Sequence, residues 1–265
     1  MKPAPFAYEA ARSLPGALRL LGDGDAQALA GGQSLVPLLN FRLARPALLV
    51  DLNPIAELSY LRRSDGVLRI GALTRQATLE RSAVVQHGWP LLRQAVRMVG
   101  HPAIRNRGTV GGSVAHADPS AELPVALTAL GATFILRSAR GQRTVGADEL
   151  FRGPMSTSIA PDELLTEIEV PPAPQGAQMA FVEHARTHGD FALAGAAVVL
   201  APEHAAIALL GAGATPVRAV AAERALLAGA TDGEAATLAG GELCDEYRRA
   251  LVTALVTRAL ERARR

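Results

Sequence analysis

Two short glycine-centred segments constrain this chain more than any other feature: Ala30-Gly31-Gly32-Gln33-Ser34-Leu35 and Thr109-Val110-Gly111-Gly112-Ser113. Each pairs adjacent glycines with a hydroxyl side chain among apolar neighbours. Glycine has no Cβ, so such a step tolerates positive φ and lets a ligand approach the backbone. Consecutive N–H groups in turns of this kind form concave nests that hold phosphate oxygens. Two nests far apart in one chain point to one extended ligand with two phosphates, such as a dinucleotide. On this reading, valine at Gly111 and Gly112 abolishes ligand retention, because the added Cβ atoms block the phosphates.

The apolar spacing places both segments. Ser13 and Pro15 start a helix carrying Ala17, Leu18 and Leu21, and Gly22 to Asp25 ends it. Residues 27–30 read as a strand, residues 35–43 as a helix and residues 48–51 as a strand, a β-α-β start. The first glycine pair then sits at a helix N-terminus, where N–H groups and the helix dipole both favour an anion. Ser64-Asp65-Gly66 reads as a hairpin turn between apolar runs. Residues 74–86, 91–99 and 119–130 read as helices, and 133–136 and 164–170 as strands. Pro171 to Gly176 is rich in Pro and Gly and reads as a boundary. Beyond it, runs at 179–184, 192–200 and 205–210 read as strands, followed by alanine-rich helices and an amphipathic helix over 245–264. Strands followed by helices predict a separate α+β domain.

Composition narrows the function. The chain has 265 residues, 49% of them apolar, enough for two cores. Its net charge is +2 and only 4% of its residues are aromatic, a poor provision for nucleic-acid binding. The single cysteine, Cys244, excludes an internal disulfide and any cysteine-held cluster within the chain, in keeping with a reducing cytoplasm. The N-terminus shows no apolar core of a signal peptide, and no stretch is apolar for long enough to span a membrane.

Other constellations carry less. Gly211-Ala212-Gly213 imitates a dinucleotide fingerprint, but Pro216 stands where the third glycine belongs, so a loop is expected. His184 and His188 fall on a strand running into a loop, where four-residue spacing does not converge on a metal. His116, Asp118 and Glu122 follow the second glycine pair. They suit either acid–base chemistry or contacts to a cofactor's hydroxyl groups. Glu122 is assigned to the cofactor and His116 is left open. Neither a serine-hydrolase elbow nor a P-loop is present.

In this order the segments resemble the FAD-binding medium subunits of the molybdenum hydroxylases, the carbon monoxide dehydrogenase and xanthine dehydrogenase type. Residues 30–35 resemble the family's first pyrophosphate loop, and Arg105 to Ser113 its second. Asp118 to Pro124 resembles the stretch whose carboxylate holds the ribityl chain, here Glu122. Glu163 to Ile168 resembles the strand whose leucine lies near the flavin, here Leu165. Gly189 to Ala192 resembles a turn that places a side chain over the isoalloxazine, here Phe191. Tyr247 to Leu251 also fits. The resemblance spans nearly the whole chain.

It implies an α+β fold: a two-subdomain FAD-binding domain of the vanillyl-alcohol-oxidase/carbon monoxide dehydrogenase type over 1–172 (subdomains 1–55 and 56–172). A smaller C-terminal domain with a three-stranded antiparallel sheet and helices follows over 177–265. It implies FAD held by Ala30, Gly31, Gly32, Gln33, Ser34, Leu35, Val99, Thr109, Val110, Gly111, Gly112, Ser113, Glu122, Leu165 and Phe191. Phe191 alternatively belongs to the C-terminal core. No acid–base catalytic residue is assigned. An iron–sulfur small subunit and a molybdopterin large subunit are the implied partners, in a dimer of heterotrimers. Electrons would pass from the iron–sulfur partner through FAD to an external acceptor. Three positions depart from the family pattern: Ser113 stands for Asn or Asp, Glu122 for a frequent Asp, and Glu183 for a frequent lysine. Gln33 stands where some distant relatives of this fold attach flavin through histidine, so the resemblance implies non-covalent FAD. The alternatives are a stand-alone FAD reductase or oxidase on the same fold, and a non-enzymatic nucleotide-binding protein.

Overall fold

The computed structural model describes residues 1–265 apart from Glu242 and Cys244, so the single cysteine lies outside the described residues. The chain opens with β1 (Ala7–Ala10), α1 (Leu14–Gly22), β2 (Ala26–Leu29), α2 (Leu35–Asn40) and β3 (Leu48–Asp51). The three strands form a parallel sheet in the order β1-β3-β2. Ser13 caps α1 by accepting from the Gly16 N–H at 3.3 Å, and α1 buries Ala17, Leu18 and Leu21 with Val50 and Ile55. α2 stops at Asn40, short of the expected Leu43, because Arg42 turns into the left-handed region at φ 59°.

The middle of the chain comprises β4 (Leu61–Ser64), β5 (Val67–Gly71), α3 (Gln76–Arg81), α4 (Ala83–Gly88), α5 (Pro90–Met98), α6 (Pro102–Arg107), α7 (Val110–His116) and α8 (Glu122–Ala129). It continues through β6 (Thr133–Ser138), β7 (Gly141–Val145), α9 (Ala147–Leu150), β8 (Phe151–Gly153), β9 (Ser156–Thr157) and β10 (Leu164–Val170). A five-stranded antiparallel sheet runs β4-β5-β10-β6-β7. The helix expected over 74–86 is two helices, because Ser82 adopts extended backbone and caps α4 through the Val85 N–H.

The last part holds β11 (Gln178–Ala185), β12 (Ala192–Ala201), β13 (His204–Leu210), β14 (Val217–Arg218), α10 (Val220–Leu227), α11 (Asp232–Gly240) and α12 (Glu246–Ala263). The expected three antiparallel strands are joined by the two-residue β14, giving the order β11-β12-β13-β14. Both faces of this sheet are covered. On β12, Ala197 and Val199 join the core with α5 and α8, while Ala194, Ala196 and Val198 join the core with α12. That double burial explains why the run reads as uninterrupted apolar sequence rather than as alternation. The segment Gly211 to Gly213 is a loop after β13. No helix among the described residues is long and apolar enough to cross a membrane.

Candidate functional site

The first glycine segment leaves the carboxyl end of β2, in the parallel sheet, where α/β sheets bind ligands. Gly32 has φ +75°, which requires glycine or strain. None of the five N–H groups from Gly31 to Leu35 donates to a protein acceptor among the described residues. The Ser34 side chain caps nothing, and Gln33 Nε2 reaches back to the Gly31 carbonyl at 3.3 Å. Five consecutive unpaired donors form an anion cradle built from backbone alone.

The second segment is different. Gly111 and Gly112 lie in the first turn of α7, and neither has positive φ. The Val110 N–H donates to Thr74 O and the Gly111 N–H to Ala72 O, both at 2.9 Å. The Gly112 N–H donates to Thr109 Oγ1 at 3.0 Å, and the Ser113 N–H to Thr109 O at 3.1 Å. These donors are spent inside the protein, so the segment is a docked helix start rather than a nest. The glycines are there for close packing. A Cβ on Gly111 would lie 2.5 Å from Ala72 Cβ, and one on Gly112 would lie 2.7 Å from Thr109 Oγ1. Valine at Gly111 therefore acts by prising α7 off Ala72, not by covering a phosphate. What the segment offers a ligand is hydroxyl groups: Ser113 Oγ, which has no protein partner among the described residues, and the proton of Thr109 Oγ1.

Residues outside both motifs press them together. A Cβ on Gly31 would lie 2.5 Å from Arg107 O and 2.8 Å from Gly108 Cα, so the two segments meet there backbone to backbone. Asn53, just beyond β3, donates through Nδ2 to Ala30 O at 2.9 Å. Arg75 donates to Asn53 Oδ1 at 2.6 Å and to Arg107 O. This Asn53–Arg75 clamp ties the parallel sheet to the helical layer. Nothing in the sequence marked it, because its members are single polar residues far apart in the chain. Arg105, expected only as part of the polar approach, is buried; it pairs with Glu80 at 2.8 Å and holds the carbonyls of Val99 and Gly100.

The segments line one cleft of about 540 Å³. Of the expected site residues, Ala30, Gly31, Gly32, Gln33, Ser34, Leu35, Val99, Thr109, Gly111, Gly112, Ser113, Glu122, Leu165 and Phe191 border it. Val110 does not: its side chain is buried in the core beneath α7. Phe191 stands 68% exposed at the cleft, so it is no part of the C-terminal core. Its loop leans on the helical layer, since a Cβ on Gly189 would lie 2.6 Å from the His101 ring. His116 and Asp118 also border the cleft, as do Gln76, Ile104 and Met155, which sequence reasoning missed. No Lys or Arg lines the cleft among the described residues. An anion there would be held by neutral donors.

Glu122 begins α8 and is buried. Burial pushes its carboxyl up to about 8; its own backbone N–H opposes this, and the charges of Glu183 and Asp118 add to it. The carboxyl is thus largely protonated at neutral pH and can both donate to and accept from a hydroxyl group. Burial likewise raises Glu183, on β11, to about 7, and its Oε2 has no partner among the described residues. His184 lies on the same strand, and His188 sits in the loop beyond with its ring 6.2 Å from that of His101.

A cleft between a parallel β-α-β layer and an antiparallel sheet with helices, floored by a donor-rich glycine loop, defines a dinucleotide-binding domain. The family described as an FAD binding domain in molybdopterin dehydrogenase matches residues 4–173. The 6-hydroxypseudooxynicotine dehydrogenase complex subunit alpha of Paenarthrobacter nicotinovorans is 48% identical, over 86% of this chain and 79% of its own. The carbon monoxide dehydrogenase medium chain of Hydrogenophaga pseudoflava is 36% identical, over 99% and 98%. Among solved structures, carbon monoxide dehydrogenase from Oligotropha carboxidovorans superposes with a TM-score of 0.95 at 35% identity, covering 99% of both chains. Quinoline 2-oxidoreductase from Pseudomonas putida 86 gives 0.94 at 36% identity, covering 100% of this chain and 99% of that one. The chain belongs to this family: it is an FAD-binding oxidoreductase subunit of the molybdenum hydroxylase type. Molybdopterin and iron–sulfur clusters belong to other subunits of such complexes.

Proposed function

We propose that this chain binds FAD non-covalently and relays electrons from an iron–sulfur small subunit to an external acceptor, beside a molybdopterin large subunit that oxidises substrate. A cytoplasmic dimer of heterotrimers is the assembly that fits this role. The observation that carries the reading is the run of five N–H groups without protein acceptors, Gly31 to Leu35, in a segment that borders the cleft. N–H groups at a helix start have no partner within the helix, and a pyrophosphate satisfies them. Bound FAD supplies the redox chemistry that no side chain of the cleft provides.

The chain's own residues bind and orient. Residues 30–35 hold the pyrophosphate from one side, and Thr109 and Ser113 add hydroxyl donors from the other. Gly111 and Gly112 serve by letting α7 dock closely, and Val110 by anchoring that helix in the core. The Glu122 carboxyl, neutral at pH 7, exchanges hydrogen bonds with the ribityl chain. Val99 and Leu165 pack beside the cofactor, and Phe191 covers one face of the flavin ring. Gln33 offers no imidazole for a covalent bond. The division into 1–172, with subdomains 1–55 and 56–172, and 177–265 is part of this proposal. It is supported by the separate sheets on either side of Pro171 to Gly176.

The test is the visible spectrum of the purified chain, repeated after acid precipitation. Flavin bands released to the supernatant are expected, together with co-purification of iron–sulfur and molybdenum subunits. Bands retained in the pellet would contradict non-covalent binding. Failure to take up FAD on reconstitution would remove the redox assignment.

A further inference from the structure

Gln76 opens α3 and is only 4% exposed, yet it borders the cleft. Its backbone is fixed, with the N–H donating to Gly108 O at 3.0 Å. Its side chain makes no hydrogen bond among the described residues, and Oε1 is buried without a partner. That oxygen lies over Gly108, where a Cβ would approach it to 2.7 Å. Leaving a buried primary amide without a partner is costly, so such groups rarely persist without use. The amide sits at the junction of both motifs, for Gly108 is also the residue against which Gly31 closes.

With Oε1 turned inward over Gly108, Nε2 is the end of the amide left for the cleft. No cation lines that cleft among the described residues, so neutral donors must carry an anion there. We infer that Gln76 is a further cofactor-contacting residue, whose side-chain amide donates to a phosphate oxygen of the bound dinucleotide. The inference rests on the proposed FAD reading and adds to it a donor from outside both glycine segments. Its neutrality matters as much as its position: an amide donates to a phosphate, whereas a carboxylate of the same shape repels it.

The experiment compares wild type, Gln76→Leu and Gln76→Glu as full chains stripped of flavin, titrated with FAD and separately with ADP, alongside melting of the ligand-free forms. Gln76→Leu should weaken both ligands about 10- to 100-fold, the value of one charge-assisted hydrogen bond. It should leave the ligand-free melting temperature unchanged or raised, since it removes an unpaired buried polar group. Gln76→Glu should weaken both by at least about 100-fold, more than leucine does, because it sets a negative charge against the phosphates. Wild-type affinity in Gln76→Glu would overturn the contact, because a carboxylate tolerates a sugar hydroxyl but not a phosphate. A lowered melting temperature with unchanged affinity would overturn it too, leaving Gln76 a structural residue. Loss for FAD alone, with ADP binding intact, would also exclude a phosphate contact. A wild-type chain that takes up neither ligand would overturn this inference and the FAD reading together, an outcome distinct from the other three.

Discussion

The two glycine segments look alike on paper and do opposite work in the molecule. Gly31-Gly32 leaves a parallel strand with five N–H groups unclaimed. Gly111-Gly112 enters a helix whose first N–H groups are all claimed, by Thr74, Ala72 and Thr109. Both pairs pack closely, Gly31 on Arg107 and Gly111 on Ala72, but only the first keeps its N–H groups free for a ligand. A Gly-Gly pair reports only that a Cβ is unwelcome. Whether a ligand or another strand takes the space depends on what the chain packs there.

Substitutions that weigh ligand against packing test this contrast. Among changes in the glycine segments, Gly31→Ala should have the largest effect on the cofactor. Its Cβ meets Arg107 O, so the loop must move and its donors lose their common direction. FAD affinity should fall about 100- to 10,000-fold, equivalent to two phosphate hydrogen bonds, with a loss of folding stability no larger than that of Gly111→Ala. If melting collapses instead, the first segment is a packing device like the second.

At the start of α8, Glu122→Gln probes the buried acid. The folded carboxyl titrates near 8 against an ordinary value of 4.5, so the folded state holds a proton that the unfolded chain has lost. Stability from this group is therefore full below about pH 4.5 and declines as pH rises towards 8. Glutamine should remove that decline and stabilise the ligand-free chain by about 2–4 kcal/mol at pH 8.5, while keeping FAD within a few-fold at neutral pH. Equal pH dependence of denaturant midpoints in both proteins would show that Glu122 is not held as an acid.

Gly111→Ala should cost about 1–3 kcal/mol of folding stability through overpacking against Ala72. It should impair FAD only as far as α7 shifts. Loss of FAD with unchanged melting would restore the second segment as a true nest. Thr109→Ala should be mildest. It removes an N-cap worth about 1 kcal/mol and one hydroxyl donor, and serine should restore both.

Much of the framework was legible because it depends on near neighbours. β3 and β10 occupy the residues that apolar runs marked, and α1 carries the Ser13 cap and proline start that its sequence announces. The misses share a cause. Arg42 in a left-handed turn ended α2 early, and Ser82 split a continuous-looking helix. β7 escaped notice because an exposed edge strand, Gly141–Val145, has little apolar alternation to show. In the site, the motif residues other than Val110 do border the cleft, while Gln76, Ile104 and Met155 join them from outside any motif. The Asn53–Arg75 clamp, the docking of α7 and the unpartnered Gln76 were not, because each depends on residues brought together from different layers.

The sequence by itself determined the order of the main apolar elements, the two places where backbone must approach something closely, and, through its resemblance, the family. Those features rest on local conformational preference and on residue size, which a linear pattern records. Only the tertiary structure decided which glycine pair keeps its donors free, why Val110 turns to the core while Phe191 stays out, and how Glu122 holds its proton. Free hydrogen-bonding capacity and burial are properties of a surrounding, and the surrounding exists only once distant segments have packed.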